Sequence, residues 1–209
     1  MVGVQEGRNR QESHHLQDDD RGRIVIIGLD LETTGLNVQD DRIIELCAGI
    51  YTDDGKLIKT VTLRFNPCRP IDKKAQAVHK ITIEELLSCP KFAEKAAQIG
   101  QLLSKAGLIV IHNAAFAAPF LKAELTRNGV KAPHVPVYDT MAESRWATFD
   151  GKVPNLGELC WALDVPYNPE EAHAANYDVD CMMKSFFKMV DKGFFSENVL
   201  AFDEIKASK

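Results

Sequence analysis

Ile24-Val25-Ile26-Ile27-Gly28-Leu29-Asp30-Leu31-Glu32-Thr33-Thr34-Gly35-Leu36 is the stretch from which the rest of the chain can be read. Its first six residues form a continuous apolar run, as a strand covered on both faces requires. Side chains alternate along a strand, so Asp30 and Glu32 project from one face, side by side at the strand's end. Two carboxylates so placed are costly to bury unless something positive neutralises them. A cluster of hard oxygen donors suits Mg²⁺ or Mn²⁺. A lone Asp here would read as a solvated strand end; an acid pair leading straight into Thr-Thr-Gly does not.

The pattern around this strand is that of an α/β chain. Residues 42–52 and 57–65 are rich in Ile, Val, Thr and Leu and flank Asp53-Asp54-Gly55, which predicts an antiparallel hairpin. A short helix is expected over Lys73–Val78, and a second from Thr82, whose hydroxyl stands three residues before Glu85 in capping-box spacing. Residues 91–106 should be helical, 108–111 a buried strand, and 114–128 a helix stopped by Gly129. Val135-Pro136-Val137-Tyr138 reads as a last, edge strand, because proline cannot donate to a central ladder. Helices are expected at 140–148, 155–163 and 176–192, and the apolar residues of the tail from Phe194 suit packing back on the body.

Composition narrows the classes. The 209 residues carry a net charge of −5, with 45% hydrophobic and 26% charged residues. That suits one globular domain, read as 24–209, with a real core. The balance argues against a broad basic surface that coats duplex nucleic acid, so any such partner is gripped locally. Residues 1–23 are too polar to bury anything and read as a disordered leader. Five scattered cysteines with no CxxC pair predict reduced thiols. The absence of a signal-peptide pattern and of a long apolar run predicts a cytoplasmic protein without a membrane anchor.

Two further segments carry chemistry. His173-Ala174-Ala175-Asn176-Tyr177-Asp178 places a loop histidine just before a helix whose first turn holds Asp178. A histidine there can take a proton from a water bound to a metal. By itself this spacing is weak, and a surface His with a dipole-assisted Asp explains it as well. The other segment, Ile111-His112-Asn113-Ala114-Ala115-Phe116-Ala117-Ala118-Pro119-Phe120-Leu121, turns from a strand into a helix.

Together the three segments closely resemble the DEDDh 3′–5′ exonucleases, a family that includes proofreading subunits of bacterial replicative polymerases, exonuclease X-type enzymes, RNase T and oligoribonuclease. The resemblance runs from about Ile24 to Asp191. Asn66-Pro67-Cys68-Arg69-Pro70-Ile71 and Ala77-Val78-His79-Lys80-Ile81-Thr82 add to it, being similar to the family's NPxRPI…VHxIT stretch. It implies a ribonuclease H-like fold, a mixed five-stranded sheet flanked by helices. It also implies two divalent ions, Mg²⁺ or Mn²⁺, with Asp30, Glu32 and Asp178 as ligands and His173 as general base. Thr33, Thr34, Gly35 and Leu36 match the segment that holds the 3′-terminal nucleotide, Leu36 as a wedge against the last bases. His79 matches a position near the scissile end, and Asn113 and Phe116 match positions lining the groove.

One ligand departs from the pattern. The middle motif runs HNxxFDxxF, and its aspartate falls at Ala117. The next acid along that helix is Glu124, two turns on and about 10 Å away by helix rise. Loss of one carboxylate weakens the shared metal site and raises the barrier to hydrolysis. Two explanations stand: engineered inactivation, or natural loss of catalysis with binding kept. The retained His173, of no use to a purely structural descendant, favours the first.

The parent activity implied is metal-dependent hydrolysis of the terminal phosphodiester of a single-stranded DNA 3′ end, releasing nucleoside 5′-monophosphates and rising toward mildly alkaline pH. A non-catalytic nucleic-acid-binding subunit, docked on a polymerase or another DNA-processing protein, is the rival reading; an RNA exonuclease is the alternative among enzymes. DNA is favoured because NPxRPI…VHxIT is most at home in DNA-directed relatives. The remaining singled-out residues take structural roles: Trp146 and Trp161 packing, Met183, Phe186, Phe187 and Val190 core, and His112 a hydrogen-bonded strand-end histidine. Lys73, Lys74 and Lys80 suit either phosphate contact or a solvated face.

Overall fold

Strand β1 runs Val25–Thr33, and its alternation divides the molecule. Ile27, Leu29 and Leu31 join one hydrophobic cluster with residues of the helices at Ala96–Leu103 and Ala114–Arg127. Ile26 joins a second cluster on the opposite face. Gly28, Asp30 and Glu32 share the parity of Ile26, so the acid pair faces the second layer. The computed structural model describes residues 25–207; the expected leader at 1–23 lies outside the described residues.

Around β1 the hairpin forms as its turn chemistry requires: β2, Ile43–Thr52, and β3, Leu57–Arg64, both antiparallel. On its other side β1 pairs in parallel with β4, Leu108–Ile111, and β4 with β5, Pro136–Asp139. The sheet order is β3-β2-β1-β4-β5-β6.

The sixth strand corrects two expectations. β6, Leu200–Ala201, pairs antiparallel with Pro136 and Val137, so β5 is not an edge and the sheet has six strands rather than five. The tail is drawn back by its apolar residues: Phe202 is fully buried, and Phe195 stacks on Tyr138 with centroids 4.8 Å apart. Pro136 tolerates this neighbour because the pairing is short, and the next bond runs from Phe202 N–H to the Val135 carbonyl at 2.8 Å.

Helix α1, Lys73–His79, starts where expected and is capped by Asp72, and α2, Ile83–Leu86, starts where its Thr82 cap predicts. Thr82 N–H donates to Glu85 Oε2 at 2.7 Å, and Glu85 N–H returns to Thr82 Oγ1 at 3.4 Å. The helix expected over 91–106 is broken at Lys95: a 3₁₀ turn at Phe92–Glu94 packs Phe92 on Phe65, and α3 spans Ala96–Leu103. α4 runs Ala114–Arg127 behind β4, α5 Leu156–Ala162, and α6 Ala175–Asp191. The helix expected at 140–148 is instead a 3₁₀ segment, Ala142–Ala147, kinked at Ser144.

α6 lies across β1 and β2 because two glycines let it. Gly28 and Gly49 are register partners, and a Cβ on Gly28 would stand 2.5 Å from Met183 Cγ and Sδ. Val179, Met182, Met183 and Phe186 bury the helix's inner face; Phe187 is only partly buried and Val190 is exposed, so the expected core stripe is narrower than its spacing suggested. Gly28→Val should cost about 1–3 kcal/mol by overpacking this contact, read as a lower denaturant midpoint at unchanged slope. An unchanged midpoint would mean that α6 is not held so closely to the sheet.

Candidate active site

The C-terminal ends of the parallel strands β1 and β4 open into a cavity, as is usual where strand order reverses in an α/β sheet. Its volume is 1290 Å³, and its walls include Asp30, Glu32, Asn113, Phe116, Ala117, His173 and Asp178. Three elements far apart in sequence supply them: β1 the first two, the start of α4 the next three, and the turn into α6 the last two. Gly28 makes this possible, since the close approach of α6 carries Asp178 toward Asp30.

The carboxylates repel one another. Asp30 is pushed up to about 7, by burial first and by Asp178 next. Glu32 is pushed up to about 9, by burial and then by Asp30 and Asp178. Asp178 is raised as well, by burial, against the pull of the His173 N–H. Asp178 Oδ2 accepts that backbone N–H at 2.9 Å, while its Oδ1 is buried without a hydrogen-bond partner. A crowd of raised carboxyls with an orphaned oxygen is the donor chemistry of a hard divalent cation. Among the described residues, no three His, Cys, Asp or Glu side chains are drawn together tightly enough to hold an ion as they stand. Ala117, buried in the cavity wall, contributes no oxygen.

His173 is exposed on the turn before α6, with φ at 66°, a left-handed conformation unusual for histidine. The bond from its N–H to Asp178 fixes the turn to the acid cluster.

Other residues read from the sequence, His112 and Trp161 excepted, fall outside the cavity walls. Thr33 and Thr34 are buried and bond within their own loop: Thr33 Oγ1 donates to the Gly35 carbonyl at 2.6 Å, and Thr34 Oγ1 to Asp41 Oδ1 at 2.7 Å. Gly35 backs onto Asp41, with no room for a side chain. Leu36 projects 82% exposed from that loop, a geometry that suits a wedge. His79 is buried at the end of α1; its Nδ1 accepts from Ile81 N–H at 3.0 Å, and burial lowers its imidazole. His112 has the structural bond expected of it, Nδ1 to Thr140 Oγ1 at 3.0 Å, although it also reaches the cavity, and burial pushes it down to about 4.

Sequence reasoning missed four residues. Glu45 is the register partner of Glu32 and is buried, its charge met by Arg64 Nε at 2.5 Å. A single acid inside Ile43-Ile44-Glu45-Leu46-Cys47 was the available signal. Asp139 ends β5 and caps α4 from outside: Asn113 N–H and Ala114 N–H donate to it at 3.1 and 2.9 Å, as does Met141 N–H at 2.9 Å. This third bond starts the 3₁₀ turn that displaced the expected helix. Trp161 and Phe149 line the cavity as well, correcting the packing role expected of Trp161; Trp146 does pack, on Phe194 at 4.5 Å. Glu124 lies elsewhere, paired with Arg127 at 3.3 Å and Arg42 at 3.8 Å, so it does not substitute at position 117.

A family model described as Exonuclease, of the RNase T type, matches residues 27–186, three-quarters of the chain. The chain belongs to this exonuclease family. It is 31% identical over 173 residues to the DNA polymerase III subunit epsilon of Treponema pallidum, covering 80% of this chain and 77% of that protein. It is 26% identical over 200 residues to ribonuclease T of Shewanella frigidimarina, covering 82% and 84%. Against the DNA polymerase III PolC-type protein of Mycoplasmopsis pulmonis, at 29% identity, it spans 11% of that chain. The fold matches product-bound exonuclease I with a TM-score of 0.68 at 17% identity, over 82% of this chain and 45% of that one. The architecture is therefore ribonuclease H-like, built on a mixed six-stranded sheet. Among the described residues no helix is long and apolar enough to cross a membrane.

Proposed function

We propose that this fold is a 3′–5′ exonuclease for single-stranded DNA ends that releases nucleoside 5′-monophosphates, and that Ala117 leaves this chain catalytically impaired. The observation that carries the reading is the joining of Asp30, Glu32 and Asp178 in one cavity with His173 at its rim. Asp30, Glu32 and Asp178 would hold a pair of divalent ions, Mg²⁺ or Mn²⁺. Bound there, the ions supply positive charge for the phosphoryl oxygens and the leaving 3′ oxygen.

The chain's own residues do the rest. His173 takes the proton of the attacking water, and the bond of its N–H to Asp178 Oδ2 keeps that loop beside the acids. Asn113 and Phe116, at the start of α4, flank the terminal nucleotide, with Leu36 at the mouth; Thr33, Thr34, Gly35 and His79 act by shaping the loop behind it. With Ala117→Asp as background, His173→Ala should slow release by about 10²–10⁴-fold while leaving strand affinity within a few-fold. A rate unchanged by that substitution would remove the general-base role.

DNA is favoured over RNA by the 30–31% identity to epsilon subunits and by the NPxRPI…VHxIT match. The test is a 5′-labelled single strand, as DNA and as RNA, incubated with Mg²⁺ and the Ala117→Asp protein. Stepwise shortening of DNA from its 3′ end is expected, blocked by a 3′-terminal phosphate; no shortening of either strand would sink the enzyme reading. A binding subunit docked on a polymerase or another DNA-processing protein remains the second reading, favoured by Ala117 itself, and predicts 3′-end affinity with no release after Ala117→Asp.

A further inference from the structure

The cavity does not end at the carboxylates. Its volume of 1290 Å³ exceeds the roughly 300–1,000 Å³ typical of small-ligand sites, and its walls continue over residues 147–150 onto α5. Two aromatic side chains stand on that extension with their faces uncovered: Trp161, 85% exposed on the outer side of α5, and Phe149, fully exposed on the loop before it. Tyr167 lines the same wall.

Lys152 is the one Lys or Arg among the described residues lining the cavity. It pairs with Glu158 at 2.7 Å, an exposed bridge of the kind that contributes little and that a phosphate can displace. The two ends of the cavity therefore differ in chemistry: oxygen donors at the sheet end, aromatic faces and a cation at the α5 end.

We infer that Trp161 and Phe149 form a stacking platform for the bases just upstream of the 3′-terminal nucleotide, with Lys152 beside the connecting phosphates. This rests on the 3′-end reading above. Bases stack on aromatic faces whatever their sequence, and only an unpaired strand offers both faces of successive bases. Continuity of the platform with the carboxylate cavity selects a strand whose end is being processed over a separate protein partner. The platform holds the strand and takes no part in bond cleavage.

The chain has two tryptophans, and Trp146 is packed on Phe194, so Trp146→Phe leaves Trp161 as the sole indole. The experiment titrates this variant, otherwise as it stands, with phosphorothioate-linked oligothymidylates of two to six nucleotides and with 5′-dTMP. Indole quenching is expected from oligonucleotides and not from 5′-dTMP. In the parent chain, Trp161→Ala should weaken a tetranucleotide about tenfold and Phe149→Ala by a similar factor, with 5′-dTMP affinity unchanged. Both side chains are exposed, so melting temperatures matching the parent confirm that folding is intact. Oligonucleotide affinity that survives both substitutions overturns the platform alone, whether the aromatics are then idle or a protein's docking point. Failure of the parent chain to bind any 3′ end overturns the 3′-end reading and the platform with it.

Discussion

Ala117→Asp is expected to raise nucleotide release on the order of a hundred- to a thousandfold, the usual worth of one missing charge-stabilising group. The position is prepared for it. Ala117 is in the first turns of α4, whose leading N–H groups are held by the Asp139 carboxylate, and it is buried in the wall that Asp30, Glu32 and Asp178 share. The positive end of the helix favours a carboxylate there by roughly 0.3–1 kcal/mol. Against that stands repulsion from three acids already raised by burial, two of them also by their acidic neighbours. The restored chain should therefore melt lower than the present one without metal, and depend more steeply on Mg²⁺ for both stability and rate. Melting temperature and release from a 3′-labelled strand, each followed across a Mg²⁺ series, check the two. A restored chain no faster than the present one would show that position 117 is not what limits catalysis.

Asp30→Asn is expected to do the opposite: stabilise the metal-free protein and abolish the activity of the Ala117→Asp background. The folded chain holds protons on Asp30 up to about pH 7 and on Glu32 up to about pH 9, both well above the ordinary values of 3.8 and 4.5. Between those limits the folded state binds more protons than the unfolded one, so stability falls as pH rises. It is fully present below about pH 4 and is lost progressively as pH climbs through 7 and on to 9. The amide that replaces the Asp30 carboxyl cannot ionise, so the variant's advantage is absent at pH 4 and grows to about 4 kcal/mol by pH 8, about 8–16 °C in melting temperature. Mg²⁺ should raise the parent's melting temperature more at pH 8 than at pH 5, and the variant's less at both. Equal melting curves for parent and variant at pH 8 would show that the acids are not held under mutual repulsion.

These opposite outcomes have one source. Under the proposed function the acids await a cation, and burying them together costs the fold stability that the cation's charge would restore. Asp178 Oδ1, buried and unbonded, is the most direct mark of that arrangement.

Much of this was legible in the residues alone. The apolar run before Asp30 announced a covered strand, and period-two alternation put Asp30 and Glu32 on one face. Asp53-Asp54-Gly55 marked the hairpin turn, and Thr82 and Glu85 marked a helix start, because capping and turn chemistry act within a few residues. The roles of the acids and of His173, and the gap at Ala117, came only from the resemblance to the DEDDh exonucleases, which three short motifs carry.

What the chain could not disclose by itself depends on contacts between distant segments. β6 exists only because Leu200–Phe202 returns to β5, and two residues carry no strand signature. Glu45 joins the acid face through its register with Glu32, and Asp139 caps a helix that starts on another strand's end. Trp161 has the composition of a packing residue; whether its face meets the core or the cavity is set by how α5 sits on α6. Local chemistry determined where carboxylates and imidazoles stand along the chain, and the packing of α4 and α6 across the sheet decided which of them meet.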